Sequence, residues 1–316
     1  MRSELFAVLL LCACGQASSP TDAGTDAGTT IADAGTGDAG TLVGTFSVLH
    51  LRNDGVNASA SLYGKVYDGP SPASLVWELD ASDGDCQLLA PRVPFCAKPC
   101  GGSAVCVEND VCQSYATSKS VGVVHVSGLV GGEFDMSPIN NGYQPSASVT
   151  LEVPPFTEGQ AITLSAAGSS AVRAFTLTSE GVATLSLSNT SLTLQSGMPL
   201  ELTWPAGSNN ARIKAKLDIS HHGGTRGMIT CDTADDGSLT ISSTLTTKLI
   251  ALGVSGFPTV IMRRERVGST VIAAGRVDLS IGSELEQAVS IPGLISCTDT
   301  AECPSGQTCQ SDLRCN

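Results

Sequence analysis

Cysteine spacing constrains this 316-residue chain more than any other feature: Cys100, Cys106 and Cys112 fall at C-x5-C-x5-C, and Cys303, Cys309 and Cys315 repeat that spacing. Each triplet has a further cysteine upstream, Cys96 and Cys297. Spacing alone does not choose among the pairings open to each cluster. The chain holds 12 cysteines, which a cytosol would keep reduced, so the clusters point to an oxidising, extracytoplasmic compartment. Structural zinc is the rival use of clustered thiolates, but the close cysteine knuckle of such sites is absent from the C-terminal copy. Small disulfide modules mainly staple segments too poor in core to fold alone. That is the role expected of residues 96–112 and 296–316.

Between and around the clusters, short apolar and polar alternations recur with turn residues between them, the pattern of antiparallel β structure. They are Thr45 to Leu51, Ser59 to Tyr67, Ser74 to Leu79, Val121 to Val126, Ser146 to Val153, Ala161 to Ala166 and Arg173 to Thr178. A second series comprises Ala183 to Leu187, Leu200 to Trp204, Arg212 to Ile219, Met228 to Cys231, Ser238 to Ile241, Thr259 to Val267 and Thr270 to Ile281. Helical periodicity interrupts it once, at Ser243 to Gly253, where Leu245, Leu249 and Leu252 share a face, Ser243 can cap and Gly253 suits the position after the end. Asp235-Asp236-Gly237 reads as a hairpin turn between the flanking strands. The expectation is an all-β chain: two antiparallel β-sandwich units, 45–190 with the Cys-rich insert at 96–112 and 191–295, one short helix, and a disulfide knot at 296–316.

Charge excludes one class of partner. With 17 Lys+Arg against 30 Asp+Glu and a net −13, phosphate backbones repel the chain, so no nucleic-acid partner is expected. At the N-terminus, Leu5 to Leu11 form an apolar run too short to span about 30 Å of hydrocarbon, which reads as a signal-peptide core. It ends in Leu11-Cys12-Ala13-Cys14-Gly15, which resembles the bacterial lipobox, with an aliphatic residue three before Cys14 and a small one just before it. The resemblance implies cleavage after residue 13 and lipidation of Cys14, with Gly15 resembling outer-membrane sorting in Gram-negative lipoproteins. An ordinary cleaved signal is the alternative. Residues 15–44 repeat Asp-Ala-Gly, with four Asp and no Lys or Arg. Such a segment buries too little apolar surface to offset its ordering entropy, and predicts a disordered tether from 14 to 44 with a reach of about 30 Å.

The C-terminal cluster, C-x5-C-P-x-G-x-x-C-x5-C from Cys297, resembles small extracellular disulfide knots. The resemblance implies Cys297 with Cys309 and Cys303 with Cys315, and by analogy Cys96 with Cys106 and Cys100 with Cys112. Once Cys12 leaves with the signal and Cys14 carries lipid, Cys86 and Cys231 remain, and a bond between them is expected. In the rival arrangement Cys86 takes Cys96 and leaves a free thiol.

Candidate chemistry is thin. His50 and His125 fall inside strands, where packed or surface imidazoles are the rule. His221-His222-Gly223-Gly224 places two imidazoles in a glycine-rich loop within reach of a metal shared with Asp218, Asp232 or Asp235, although neighbours in a strand face opposite ways, so a loop ending the preceding strand is expected. Asp80-Ala-Ser-Asp83-Gly-Asp85 and Asp232-Thr-Ala-Asp235-Asp236-Gly237 lack the ligand order of a calcium loop and read as turns. Trp77 and Trp204 sit among aliphatics and are expected in the core. Only 13 aromatics in the chain leave few for a sugar platform. Arg263-Arg264-Glu265-Arg266 alternates faces with its own counter-charge and reads as a solvated edge.

The lipobox, the Asp-Ala-Gly tether, the strand-rich body and the knots together resemble myxobacterial-type surface lipoproteins. The resemblance implies a location at the outer membrane or cell surface. The expected function is a non-enzymatic surface-anchored binding or structural envelope component, without cofactor or metal, whose partners are the membrane through its lipid and an extracellular or envelope ligand. The alternative is a secreted metal-dependent hydrolase with its site near His221 and His222.

Overall fold

The computed structural model describes residues 40–53, 58–207 and 210–316. Cys12, Cys14 and the Asp-Ala-Gly repeats lie outside them. The strands are β1 (Leu42–Asn53), β2 (Ser59–Val66), β3 (Val76–Asp83), β4 (Cys86–Arg92), β5 (Ala104–Glu108), β6 (Val111–Ser114), β7 (Val124–Ser127), β8 (Phe134–Met136), β9 (Gly142–Tyr143), β10 (Ala161–Ala166) and β11 (Phe175–Glu180). Then come β12 (Leu192–Thr193), β13 (Leu200–Thr203), β14 (Arg212–Asp218), β15 (Met228–Ala234), β16 (Ser238–Ile241), the helix α1 (Ser243–Ala251), β17 (Thr259–Ile272) and β18 (Gly275–Ser290). The fold is all-β, with disulfide-rich modules and one helix. β1 begins at Leu42, before the expected end of the tether, because Val43 is already buried in the body.

A single 10-stranded sheet, ordered β3-β4-β15-β14-β17-β18-β1-β2-β9 with β12 beside β18, runs through the whole body. Its pairs are antiparallel except that β1 and β12 each run parallel to β18. Parallel neighbours need no tight turn between them, and β1 and β18 open and close the body.

β18 sets both cores. Val277, Leu279, Ile281, Leu285 and Val289 are spaced by even steps, so all point to one face of the sheet. Over one half of that face lies a 4-stranded sheet, β11-β10-β7-β8, whose Val124, Val126, Ile162, Leu164 and Leu177 meet Phe46, Val48, Leu279 and Ile281. The β13–β16 pair and α1 lie over the other half, bringing Leu202, Ile241, Leu245 and Leu249 against Ile213, Leu217, Ile229 and Met262. Each fully buried Leu contributes about 2 kcal/mol. Residues 45–190 and 191–295 therefore both contribute to both cores: Cys86 and Leu88 join the second, and Val277 to Ile281 join the first. The opposite face of the long sheet carries cross-strand ion pairs, Arg212–Asp232 at 2.7 Å, Lys214–Glu265 at 3.0 Å and Arg263–Glu284 at 2.5 Å, with Glu265 and Asp278 themselves buried.

Between the cores, on the covered face, lies a polar belt. Arg264 on β17 is 1% exposed. Its Nε and Nη2 donate to the Asp235 carboxylate at 2.7 and 2.9 Å, Nη2 also donates to Pro205 O at 2.6 Å, and Nη1 donates to the Ala183 and Thr184 carbonyls at 3.3 Å. Asp235 also accepts from Trp204 Nε1 at 2.7 Å and Gly207 N at 3.0 Å. Nearby, Ser283 Oγ accepts from Leu185 N at 3.0 Å and lies 3.5 Å from His50 Nδ1. Burial, reinforced by Arg52, holds the His50 imidazole below its usual range.

The belt overturns several expectations. Ala183 to Leu187 is not a strand, because it crosses between the two covers and gives its backbone groups to Arg264, Ser283 and Arg52 instead of to a ladder. Asp235-Asp236-Gly237 closes no hairpin, since β15 pairs with β14 and β4 while β16 pairs with β13. It carries the chain from the long sheet to the cover. Arg264 belongs to no solvated edge, because β17 is central and its alternate residues face the cores. Ser146 to Val153 is irregular, and Trp77 is only half-buried because β3 is the sheet's outer strand. The helix is capped by Ser242, one residue earlier than expected, whose side chain accepts from Leu245 N.

Removing one partner of a buried pair leaves the other charge uncompensated, at a cost of about 3–5 kcal/mol. Asp235→Asn should lower unfolding free energy by that amount in denaturant titrations. Asp80→Asn, which breaks the exposed Lys248–Asp80 pair at 3.4 Å, should cost under about 1 kcal/mol. Equal, small effects would show that the belt is not a strong constraint.

Candidate functional site

The described cysteines form five disulfides. Cys86 and Cys231 face each other across the β4–β15 ladder with Cα atoms 4.1 Å apart, which joins sequence positions 145 residues apart. The other bonds are Cys96–Cys106, Cys100–Cys112, Cys297–Cys309 and Cys303–Cys315. The only groups of three potential metal ligands among the described residues are cysteine sulfurs, Cys96/Cys100/Cys106 and Cys297/Cys303/Cys315, and these sulfurs are bonded in disulfides.

The first module is the β5–β6 hairpin, held to the edge of the long sheet by Arg92, which donates to both Glu108 oxygens at 2.9 and 3.0 Å and also to Glu78. Arg92 holds the Glu108 carboxyl below its ordinary range. The second module docks on the loop between α1 and β17, where Gly256 N donates to Asp312 O at 2.8 Å and Ser296 Oγ to Gly256 O at 2.6 Å.

The neighbouring loop after β14 contains His221 and His222, and Phe257 N donates to His221 O at 2.8 Å. Their rings lie 4.0 Å apart, and His221 Nε2 is 3.3 Å from Glu286 Oε1. The carboxylates expected to join them have other partners: Asp218 accepts from Ser220 N and Oγ, Asp232 from Arg212, and Asp235 from Arg264 and Trp204. Gly223 packs so tightly on Gly256 that an added Cβ would fall 2.3 Å from its nitrogen. The glycines serve this docking, and the loop gathers no three-ligand set. On the 4-stranded sheet, His125 bridges Asp135 at 2.8 Å and Glu133 at 3.0 Å. Asp135 first, then Glu133, hold its imidazole above the usual range.

One recess is lined by polar side chains that make no ion pair or side-chain hydrogen bond among the described residues. It lies at the free β9 edge, has a volume of about 220 Å³, and is lined by Tyr63, Lys65, Ile139, Asn140, Gly142 and Gln144 beside the buried Tyr143. Tyr63 and Lys65 alternate with the buried Leu62, Gly64 and Val66, so both face outward from β2. Gly142 is the cross-strand partner of Lys65. Asn140 and Asn141, at φ of 51° and 60°, form the two-residue turn between Ile139 and Gly142, whose N–H groups donate to each other's carbonyls at 2.8 and 2.9 Å. Asn141 anchors the turn by donating to Ser118 O at 3.0 Å. Sequence reasoning missed this site. The available signals were the Tyr63-x-Lys65-x-Tyr67 alternation and the turn residues Asn140-Asn141-Gly142.

No family model and no curated protein matches the chain. Among solved structures, it is similar to the FN1–FN3 domains of chicken CNTN1 at 9% identity, with 76% of this chain and 71% of that chain covered. The TM-score is 0.18, too low a superposition to make them one fold.

Non-reducing peptide mapping should recover a Cys86–Cys231 peptide. A Cys86–Cys96 peptide, or a titratable thiol at Cys231, would contradict the arrangement. Because the loop closed by Cys86 and Cys231 is long, replacing both with Ala should remove up to about 5 kcal/mol of stability.

Proposed function

We propose that this chain is a non-enzymatic binding protein, held at the outer membrane or cell surface by lipid on Cys14 and displayed on its Asp-Ala-Gly tether to an extracellular or envelope ligand. The observation that carries the binding half is the recess lined by Tyr63, Lys65, Asn140 and Gln144, whose ring, ammonium and amide groups make no ion pair or side-chain hydrogen bond among the described residues. Polar groups converging on a concave surface are the ordinary form of a ligand site. The anchoring half rests on Leu11-Cys12-Ala13-Cys14-Gly15. No helix among the described residues is long and apolar enough to cross a membrane. A lipid with a single hydrophobic chain binds a bilayer only weakly, so stable attachment calls for more than one acyl chain at Cys14.

Growth with labelled palmitate tests the anchor. Wild type and Cys12→Ser should take up label and sediment with membranes, whereas Cys14→Ser should do neither. Label persisting in Cys14→Ser would overturn the assignment. Metal analysis of the same preparations tests the non-enzymatic half: stoichiometric zinc whose removal abolished a hydrolytic activity would replace this reading with the hydrolase.

A further inference from the structure

We propose that the β2–β9 recess is a saccharide site that takes a pyranose ring bearing a carboxylate, a uronic acid; this rests on the reading of the chain as a binding protein and names its ligand class. The recess is small. Its volume of about 220 Å³ lies below the roughly 300 Å³ at which pockets for larger organic ligands begin, so it suits one ring of a longer chain that continues into solvent.

Three features define that ring. Tyr63 is 51% exposed beside Ile139, which is 59% exposed. An aromatic side chain half out of water supplies an apolar face for sugar C–H groups and a phenol at its rim for a hydroxyl. Asn140 and Gln144 line the same recess and make no hydrogen bond through their side chains among the described residues. Each amide offers an acceptor and a donor pair, the complement of neighbouring hydroxyls, which also both donate and accept. Lys65 supplies the third feature. Its ammonium lies 5.5 Å over the Tyr67 ring, and no ion pair involving it occurs among the described residues. In a chain with 30 acidic residues against 17 basic ones, an ammonium left to an aromatic ring is a placed cation, and it selects a carboxylate on the ligand.

The floor is open because residue 142 is glycine. A Cβ there would sit 3.6 Å from the Tyr63 hydroxyl and 3.4 Å from Ile139 O, in ordinary contact. A side chain at 142 would therefore occupy the space without disturbing the backbone, and a larger one would fill it. An isolated phosphate would use Lys65 but leave the ring and amides idle. An acidic peptide would use the charge but offer no flat C–H face to Tyr63.

The test uses purified full-length protein carrying Cys14→Ser, titrated calorimetrically with trigalacturonic acid, neutral galactotriose and triglutamate. Trigalacturonic acid should bind about tenfold tighter than galactotriose. Lys65→Met should abolish that preference while leaving the neutral affinity. Tyr63→Ala and Gly142→Val should each weaken trigalacturonic acid about tenfold or more, with melting temperatures unchanged because these positions face outward. Tyr63→Phe should retain most of the affinity, which separates a lost platform from a misfolded variant. Triglutamate binding as tightly as the saccharide would show a site that reads charge alone and overturn the proposal. So would saccharide binding indifferent to Tyr63→Ala and Gly142→Val, or no binding of either saccharide by the folded protein. That last result would leave membrane attachment, read by palmitate labelling, unaffected.

Discussion

Everything in the body is arranged around one buried ion pair, Arg264 with Asp235. An isolated guanidinium out of water is prohibitively costly, and attraction to one carboxylate seldom repays that cost unless every remaining donor and acceptor is satisfied. Here they are satisfied. Arg264 reaches Asp235, Pro205 O, Ala183 O and Thr184 O, and Asp235 also accepts from Trp204 and Gly207. These acceptors belong to three separate stretches of chain: the crossing segment, the β13 exit and the β15 exit. Gly207 has no room for a side chain, since a Cβ there would lie 2.5 Å from the Asp235 carboxylate. A fully connected polar network of this kind specifies one arrangement of its parts, and here it fixes how two covers sit on one sheet.

The shared sheet then determines the rest. β18 and β17 pass beneath both covers, so the two cores are halves of one face, separated by the belt and not by a linker. Cys86–Cys231 staples the outer strands of one half, and the belt holds the middle. The polar face opposite is laced by ion pairs between alternate charged residues. At the far edge the sheet ends in the two-residue strand β9 and its asparagine turn, where the recess forms.

Much of this was legible in the sequence because local rules apply where the environment is local. Period-two alternation located β2, β10 and β14, and the apolar spacing of Leu245 and Leu249 located α1. Repeated cysteine spacing located both modules. The same rules failed where distant residues decide. Ala183 to Leu187 alternates like a strand, yet its partners are side chains from the far end of the chain. Arg264 sits in a run that looks solvated, and only the central position of β17 buries it. Asp235 reads as a turn acid until Arg264, 29 residues later, claims it. For His221 and His222 a metal stays open as an alternative because sequence does not show that Gly223 and Gly256 must meet. The recess escaped notice for a related reason: Tyr63 and Asn140 become neighbours only through the β2–β9 pairing.

The belt makes two cores one cooperative body. Differential scanning calorimetry of the oxidised protein tests it directly. One transition is expected, with calorimetric and van't Hoff enthalpies that agree. Two resolved transitions, or a calorimetric enthalpy well above the van't Hoff value, would show that each core melts on its own and would contradict it.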